Sequence, residues 1–284
     1  MILVAGSRCA GTSLWMEILT GGGFPPAWGA FPRSGDGAEV AAALRAQHEP
    51  RLAGGIWWRT NPDPATGYWL HPKAVEHHAV RVFPRGLART EYAYVTRVIA
   101  TVRDWRAYEA EARPRFLLPA TDTEAERSLP MPPGFEWWLE NYGLIRDIGA
   151  RRYGIHVLSH AALLADPEGT IRKVFDWIGK GEADKAWFAA REAIEAREEP
   201  EPPAYASEFA GVFDEFYQRI HTGGPLDGPF IAKLNETNTA IFQTIRQLAP
   251  DYLRLRERID ALDPPGMPPL PEGGISQADA AATG

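Results

Sequence analysis

The chemically suggestive spacing in this chain is at its start, MILVAGSRCAGTS, where Gly6 is followed after four residues by Gly11, Thr12 and Ser13. Two glycines so spaced and followed by hydroxyl side chains form the frame of a phosphate-binding loop. The lysine that a nucleoside triphosphatase places after the second glycine, to reach the β- and γ-phosphates, is replaced by Thr12. Backbone N–H groups and the positive end of a helix remain, and these bind a phosphate that is not being cleaved from a triphosphate chain. The loop therefore points to an anionic nucleotide used in another way. Cys9, inside the loop, reads first as a small buried residue, although a thiol beside helix-terminal N–H groups would have a lowered pKa. Arg103 closes the apolar run VTRVIATV. Ligands of open α/β sheets gather at the carboxyl ends of strands, which favours an anion-binding role for it. The alternative is a surface charge beside an Asp104 that caps the next helix.

For the loop to work, a strand must enter it and a helix must leave it. Ile2 to Ala5 is a continuous apolar run of the kind buried in a parallel sheet, and Leu14, Trp15, Ile18 and Leu19 recur at helical spacing before Gly21 to Gly23. Further strands are expected at Ala79 to Phe83, Val95 to Val102 and Gly154 to Ser159, separated by helices, including the amphipathic FEWWLENYGLIRDIGARRY. That order predicts a three-layer α/β domain with a central parallel sheet, right-handed crossovers and a helical C-terminal half. Helices are expected over Pro167 to Ile178, Ala183 to Ala196, Tyr205 to Ile220 and about Gly228 to Leu262. The Gly-, Pro- and Asn-rich stretch 28–72, with a short helix near Ala38 to Gln47, reads as a long binding excursion, and Pro114 to Pro133 as a second loop. One domain over 1–262 and a disordered Pro/Gly-rich tail over 263–284 complete the expectation.

Composition removes several functional classes. The net charge of −7 disfavours binding to nucleic acid or to an anionic membrane surface, which want a basic excess. A single cysteine rules out a disulfide framework and a Cys-based zinc site, and suits a reducing compartment. No run approaches the roughly 18 apolar residues of a membrane span. A soluble cytoplasmic protein acting on a small ligand is the expectation. Ten tryptophans are many for 284 residues, and adjacent Trp137 and Trp138 on one helix suggest either that one lines a cleft, for an apolar, aromatic or sugar ligand, or that the helix packs between the sheet and the C-terminal bundle. The Arg151-Arg152 pair reads as solvated.

Three segments in order, VAGSRCAGTSLWMEIL, VIATV ending in Arg103-Asp104, and HVLSHAALLADPEGTIRKVFDWIG, resemble the bacterial branch of the sulfotransferases that use 3'-phosphoadenosine 5'-phosphosulfate. The resemblance covers roughly residues 1–180, with NPDPATGYW and AVRVFP placed where that branch has similar segments. It implies metal-independent transfer of a sulfuryl group to a hydroxyl or amine of a small acceptor. It also accounts for the missing lysine, because the donor carries a 5'-phosphosulfate instead of a triphosphate. By this resemblance the donor site comprises Ser7, Arg8, Cys9, Ala10, Gly11, Thr12 and Ser13 around the 5'-phosphate, with Arg103 at the 3'-phosphate and Glu111 beside it.

The sequence also departs from the family. Its Lys or Arg two residues before the loop's last glycine is here Cys9, and Arg8 is the substitute cation. A serine eight residues after the motif arginine is here Glu111, which Arg113, Arg115 or Arg106 would have to neutralise beside a phosphate. An acidic pair before the Leu-Leu turn is replaced by Ala161 and Ala162. The family also implies a base near the second strand or in the preceding loop. Of His71, His77, His78 and Glu49, His71 is preferred because it follows the aromatic loop. Two other readings stay open: a sulfotransferase-fold protein without transfer chemistry, serving as a binding protein, and a P-loop kinase.

Overall fold

The computed structural model describes residues 1–26, 71–112, 132–197 and 204–261, and the backbone alone over 249–261. Most of the expected 28–72 excursion, its helix near Ala38 to Gln47, Glu49, the Trp57-Trp58 pair, Arg113, Arg115, most of the second loop and the tail lie outside the described residues.

Strand β1 (Ile2–Ala5) is buried at every position, as a strand covered on both faces must be. Helix α1 (Thr12–Gly21) follows the loop, and β2 (Ala79–Val82) leads into α2 (Pro84–Arg89). Then come β3 (Arg97–Val102), α3 (Trp105–Ala112), α4 (Phe135–Arg151), β4 (Ile155–Ser159) and α5 (His160–Ala165). Helices α6 (Pro167–Ile178), α7 (Ala183–Glu195), α8 (Ala210–Thr222) and α9 (Gly228–Ala261) complete the order. The four strands form one sheet in the order β2-β1-β3-β4, all parallel.

Side chains of alternate parity feed two cores. Leu3, Ala5, Val80, Val82, Val98 and Ala100 meet Leu87 of α2 and Leu144 of α4. Ile2, Val4, Ala79 and Ile99 meet Leu14, Trp15 and Ile18 of α1, with Phe175 of α6 and Ala186 of α7 beyond. This is the expected three-layer α/β fold. A third core joins α3 and α4 to α8 and α9, built on Trp105, Trp137, Trp138, Phe213 and Phe216. Neither adjacent tryptophan lines a cleft: both are fully buried, because α8 covers the side of α4 that the sheet does not. Trp138 stacks on Tyr142 at 5.5 Å and on Phe213 at 5.3 Å.

Several boundaries move for local reasons. β3 begins at Arg97, because Val95 is spent closing a turn, its N–H donating to the Tyr92 carbonyl at 2.9 Å. The expected turn after β4 is a short helix, capped by Ser159 Oγ accepting from the Ala162 N–H at 3.0 Å. Arg151 is not solvated: it donates to the carbonyls of Thr90 and Leu87 at 2.8 and 2.7 Å and pairs with Asp147, which ties α4 to the end of α2. Arg152, in left-handed conformation at the helix end, is the exposed member.

Candidate functional site

The chain leaves β1 for β2 on one side and then crosses back to β3 on the other, so the sheet reverses direction between β1 and β3. In such sheets this is where a crevice opens at the carboxyl ends. The loop after β1 and Arg103 after β3 flank it. Ala5 stands level with Val82 and Ala100 in the register, which puts residues 6–13 at that edge.

Loop geometry follows from close backbone approach. A Cβ on Gly6 would lie 2.8 Å from Thr12 Cγ2 and 2.9 Å from the Thr101 carbonyl. Gly11 has φ +86°, and a Cβ there would lie 2.3 Å from Nδ1 of the buried His160 ring. Only glycine fits this position, on conformation and on space alike. The loop is also tied to β3: Thr101 Oγ1 donates to the Ala10 carbonyl at 2.7 Å, and Arg103 Nη1 to the Cys9 carbonyl at 3.0 Å. Cys9 itself takes φ +59°. The N-cap residue Gly11 has no side chain to cap α1, so first-turn N–H groups are left for another acceptor at the positive end of a ten-residue helix. Ser7 is buried, and its Oγ finds no hydrogen-bond partner among the described residues.

Three arginines surround the loop. Arg8 lies over the Phe83 ring, 5.7 Å from its centre. Arg81, on β2, donates to Ser13 Oγ at the start of α1. Burial lowers the Arg81 pKa, yet a guanidinium remains protonated at neutral pH, so a half-buried cation stands against the loop's last hydroxyl. Arg103 is buried, and its guanidinium pairs with Glu111 two turns along α3. Glu111 is thus neutralised by Arg103 itself. Arg106 is engaged elsewhere, gripping both oxygens of Asp214 at 2.5 and 3.0 Å while Trp105 Nε1 donates to the same carboxylate at 2.7 Å. Asp104 does cap α3, accepting from the Arg106 and Ala107 N–H groups at 2.9 and 3.2 Å.

The structure brings Ser7 to Ser13, Arg103 and Glu111 together, and leaves His71 apart. His71 precedes a 3-10 turn, Pro72–Val75, that runs into the start of β2, where the His78 carbonyl accepts from the Ile2 N–H at 2.9 Å. This is the amino edge of the sheet, opposite the loop, and His71 Nδ1 there accepts from the Lys73 N–H at 3.2 Å. Strand direction, which chain order does not carry, sets His71 at the edge opposite the loop.

Three residues at the loop edge escaped the sequence reading. Arg81 could have been found as a lone charge inside the apolar strand AVRV. His160 gave no signal, since only the fold seats its ring on Gly11. Glu140 on α4 could have been found as a carboxylate in register with the apolar Leu144 and Ile148. Burial first, and then Glu136, push its carboxyl up to about 7, against opposing contributions from Arg85 and Arg8. The nearby Tyr108 hydroxyl is pushed well above its ordinary value by burial and by Glu140, Glu136 and Glu109.

Among the described residues no group of three or more His, Cys, Asp or Glu is placed to hold a metal ion, and no helix is long and apolar enough to cross a membrane. Comparison with protein-family models gives no match, and comparison with curated protein sequences gives none either.

Proposed function

We propose that this chain is a sulfotransferase that moves a sulfuryl group from 3'-phosphoadenosine 5'-phosphosulfate to a small acceptor. The observation that carries the reading is the loop: an uncapped helix start behind a left-handed Gly11, lacking the triphosphatase lysine, at the point where the sheet reverses direction. The first-turn N–H groups of α1, the hydroxyls of Thr12 and Ser13, and the unpartnered Ser7 Oγ fit a 5'-phosphate. Arg81, held at Ser13, adds positive charge on that side, where Cys9 supplies none, and Arg8 remains the loop's own cation.

Arg103 suits the 3'-phosphate in position, but Glu111 already engages its guanidinium. This pairing favours a second reading, in which the fold binds a nucleotide weakly and no longer transfers. The acidic net charge and the single cysteine support a small acceptor and a cytoplasmic setting, and disfavour nucleic acid as partner.

Incubating the protein with the donor and a panel of phenols, alcohols and amines, with EDTA present, separates these readings. Release of 3',5'-adenosine bisphosphate together with a sulfated acceptor supports the enzyme. Bisphosphate binding without turnover supports the binding protein, and turnover restored by Cys9→Arg alone would identify the loop cation as what is missing. Strictly Mg²⁺-dependent phosphoryl transfer from ATP would replace both with a kinase.

A further inference from the structure

Glu136, Glu140, Leu144 and Ile148 stand four residues apart along α4 and so share one face. The lower two of these side chains pack against the core of Leu3, Ala5, Val80 and Val82. Helix α4 leads into the amino edge of the sheet, where β4 begins, and therefore runs antiparallel to the strands. Its earlier turns rise to the carboxyl edge, and there the apolar row becomes two carboxylates, with Glu140 close enough to Arg8 of the loop to feel its charge.

Glu140 stands out among them. The residue is half-buried, yet its Oε2 is withdrawn from solvent and accepts no hydrogen bond from the described residues. Buried acceptors without donors are rare in folded chains, and such an exception at a site edge calls for a function. The charged and titratable groups that face it are Glu136 on its own helix, Arg85 of α2, Arg8 of the loop and Tyr108 of α3, with Glu109 behind. Two other nearby carboxylates are committed: Glu109 accepts from the Gly134 N–H, and Glu111 pairs with Arg103.

Resting on the sulfotransferase reading above, we propose that the Glu140 carboxylate is the general base of the transfer, taking the proton of an acceptor hydroxyl. The hydroxyl oxygen forms a bond to sulfur while the bond from sulfur to the bridging phosphate oxygen breaks. 3',5'-adenosine bisphosphate leaves with that electron pair, and the hydroxyl proton ends on Glu140. A carboxyl that titrates near neutral pH is matched to this task, and Arg8 and Arg85 keep a share of it ionised. The acceptor class is then a neutral hydroxyl compound, which loses its proton only as its oxygen attacks. An amine that arrived as ammonium would pair with the Glu140 carboxylate and stay protonated.

Two measurements test this on the full chain. Infrared titration is expected to show a protonated carboxyl band with a midpoint near pH 7 that is missing in Glu140→Gln. With the donor and 2-naphthol as probe, the wild-type rate should rise through an inflection at the same pH. Glu140→Gln should lose the inflection and roughly 10²- to 10⁴-fold in rate while binding 3',5'-adenosine bisphosphate as the wild type does. Glu140→Asp, which keeps the carboxyl, should keep an inflection at an intermediate rate and controls for a folding defect. A band that titrates below about pH 5, or a Gln variant with unchanged rate and inflection, overturns the role of Glu140 and leaves the donor site standing. A wild type that binds no bisphosphate, or binds it and transfers to nothing, overturns the sulfotransferase reading and this base with it.

Discussion

Glu111→Gln should tighten binding of 3',5'-adenosine bisphosphate. The Arg103 side chain is 7% exposed and that of Glu111 27%, so the pair lies at the protein boundary, where an effective dielectric of about 20 applies. A 3'-phosphate reaching this guanidinium meets a carboxylate of like sign. At a separation of roughly 6 Å the repulsion per unit of phosphate charge is about 3 kcal/mol. The open side of Glu111 and counter-ion screening reduce this to about 1.5 kcal/mol, or roughly tenfold in Kd. Glutamine keeps the shape and an acceptor for Arg103, so the fold should lose no more than about 1 kcal/mol. Calorimetric titration of wild type and variant at one fixed ionic strength reads the difference, which should shrink as salt is raised. An unchanged or weaker Kd in the variant would show that the phosphate does not approach Arg103.

Other perturbations test the scaffold and the buried carboxyl. Gly11→Ala forces a left-handed alanine and a Cβ 2.3 Å from His160 Nδ1; urea unfolding should report a loss of about 2–4 kcal/mol, and bisphosphate binding should fall with it. The Glu140 carboxyl titrates at about 7 in the folded chain against an ordinary 4.5. Across that window the folded state holds a proton that the unfolded state has lost, so stability falls as pH rises, by about 3 kcal/mol in all. Glu140→Gln removes this slope: unfolding curves should show the variant more stable than wild type at about pH 8 and equal to it near pH 4. Trp138→Ala empties the contact with Tyr142 and Phe213 and should cost about 3–5 kcal/mol by chemical denaturation.

The layer order was legible because each strand of the sheet is an apolar run next to a helical period, and β1 shows this without a polar interruption. The loop was legible for the same reason, since Gly6 and Gly11 sit between such a strand and such a helix. What sequence spacing does not carry is direction across the sheet. His71 is only eight residues before β2, yet the parallel sheet puts it at the edge opposite the loop. Arg81, eleven residues before Tyr92 and far from Ser13 in sequence, meets that serine because β2 lies beside β1. Likewise Trp137 and Trp138 needed the position of α8, a helix more than seventy residues later, to decide between core and cleft. The pairing of Arg103 with Glu111 was within reach of sequence alone, as a cation and a carboxylate eight residues apart across the start of one helix.

The most direct test of the phosphate-binding loop is a two-dimensional ¹H–¹⁵N spectrum of the labelled protein titrated with 3',5'-adenosine bisphosphate. If the loop holds the phosphate, the amide resonances of Gly11, Thr12 and Ser13 shift saturably, while those of Lys73 and Val75, at the opposite edge of the sheet, stay in place. Loop amides that do not move at millimolar bisphosphate would contradict it.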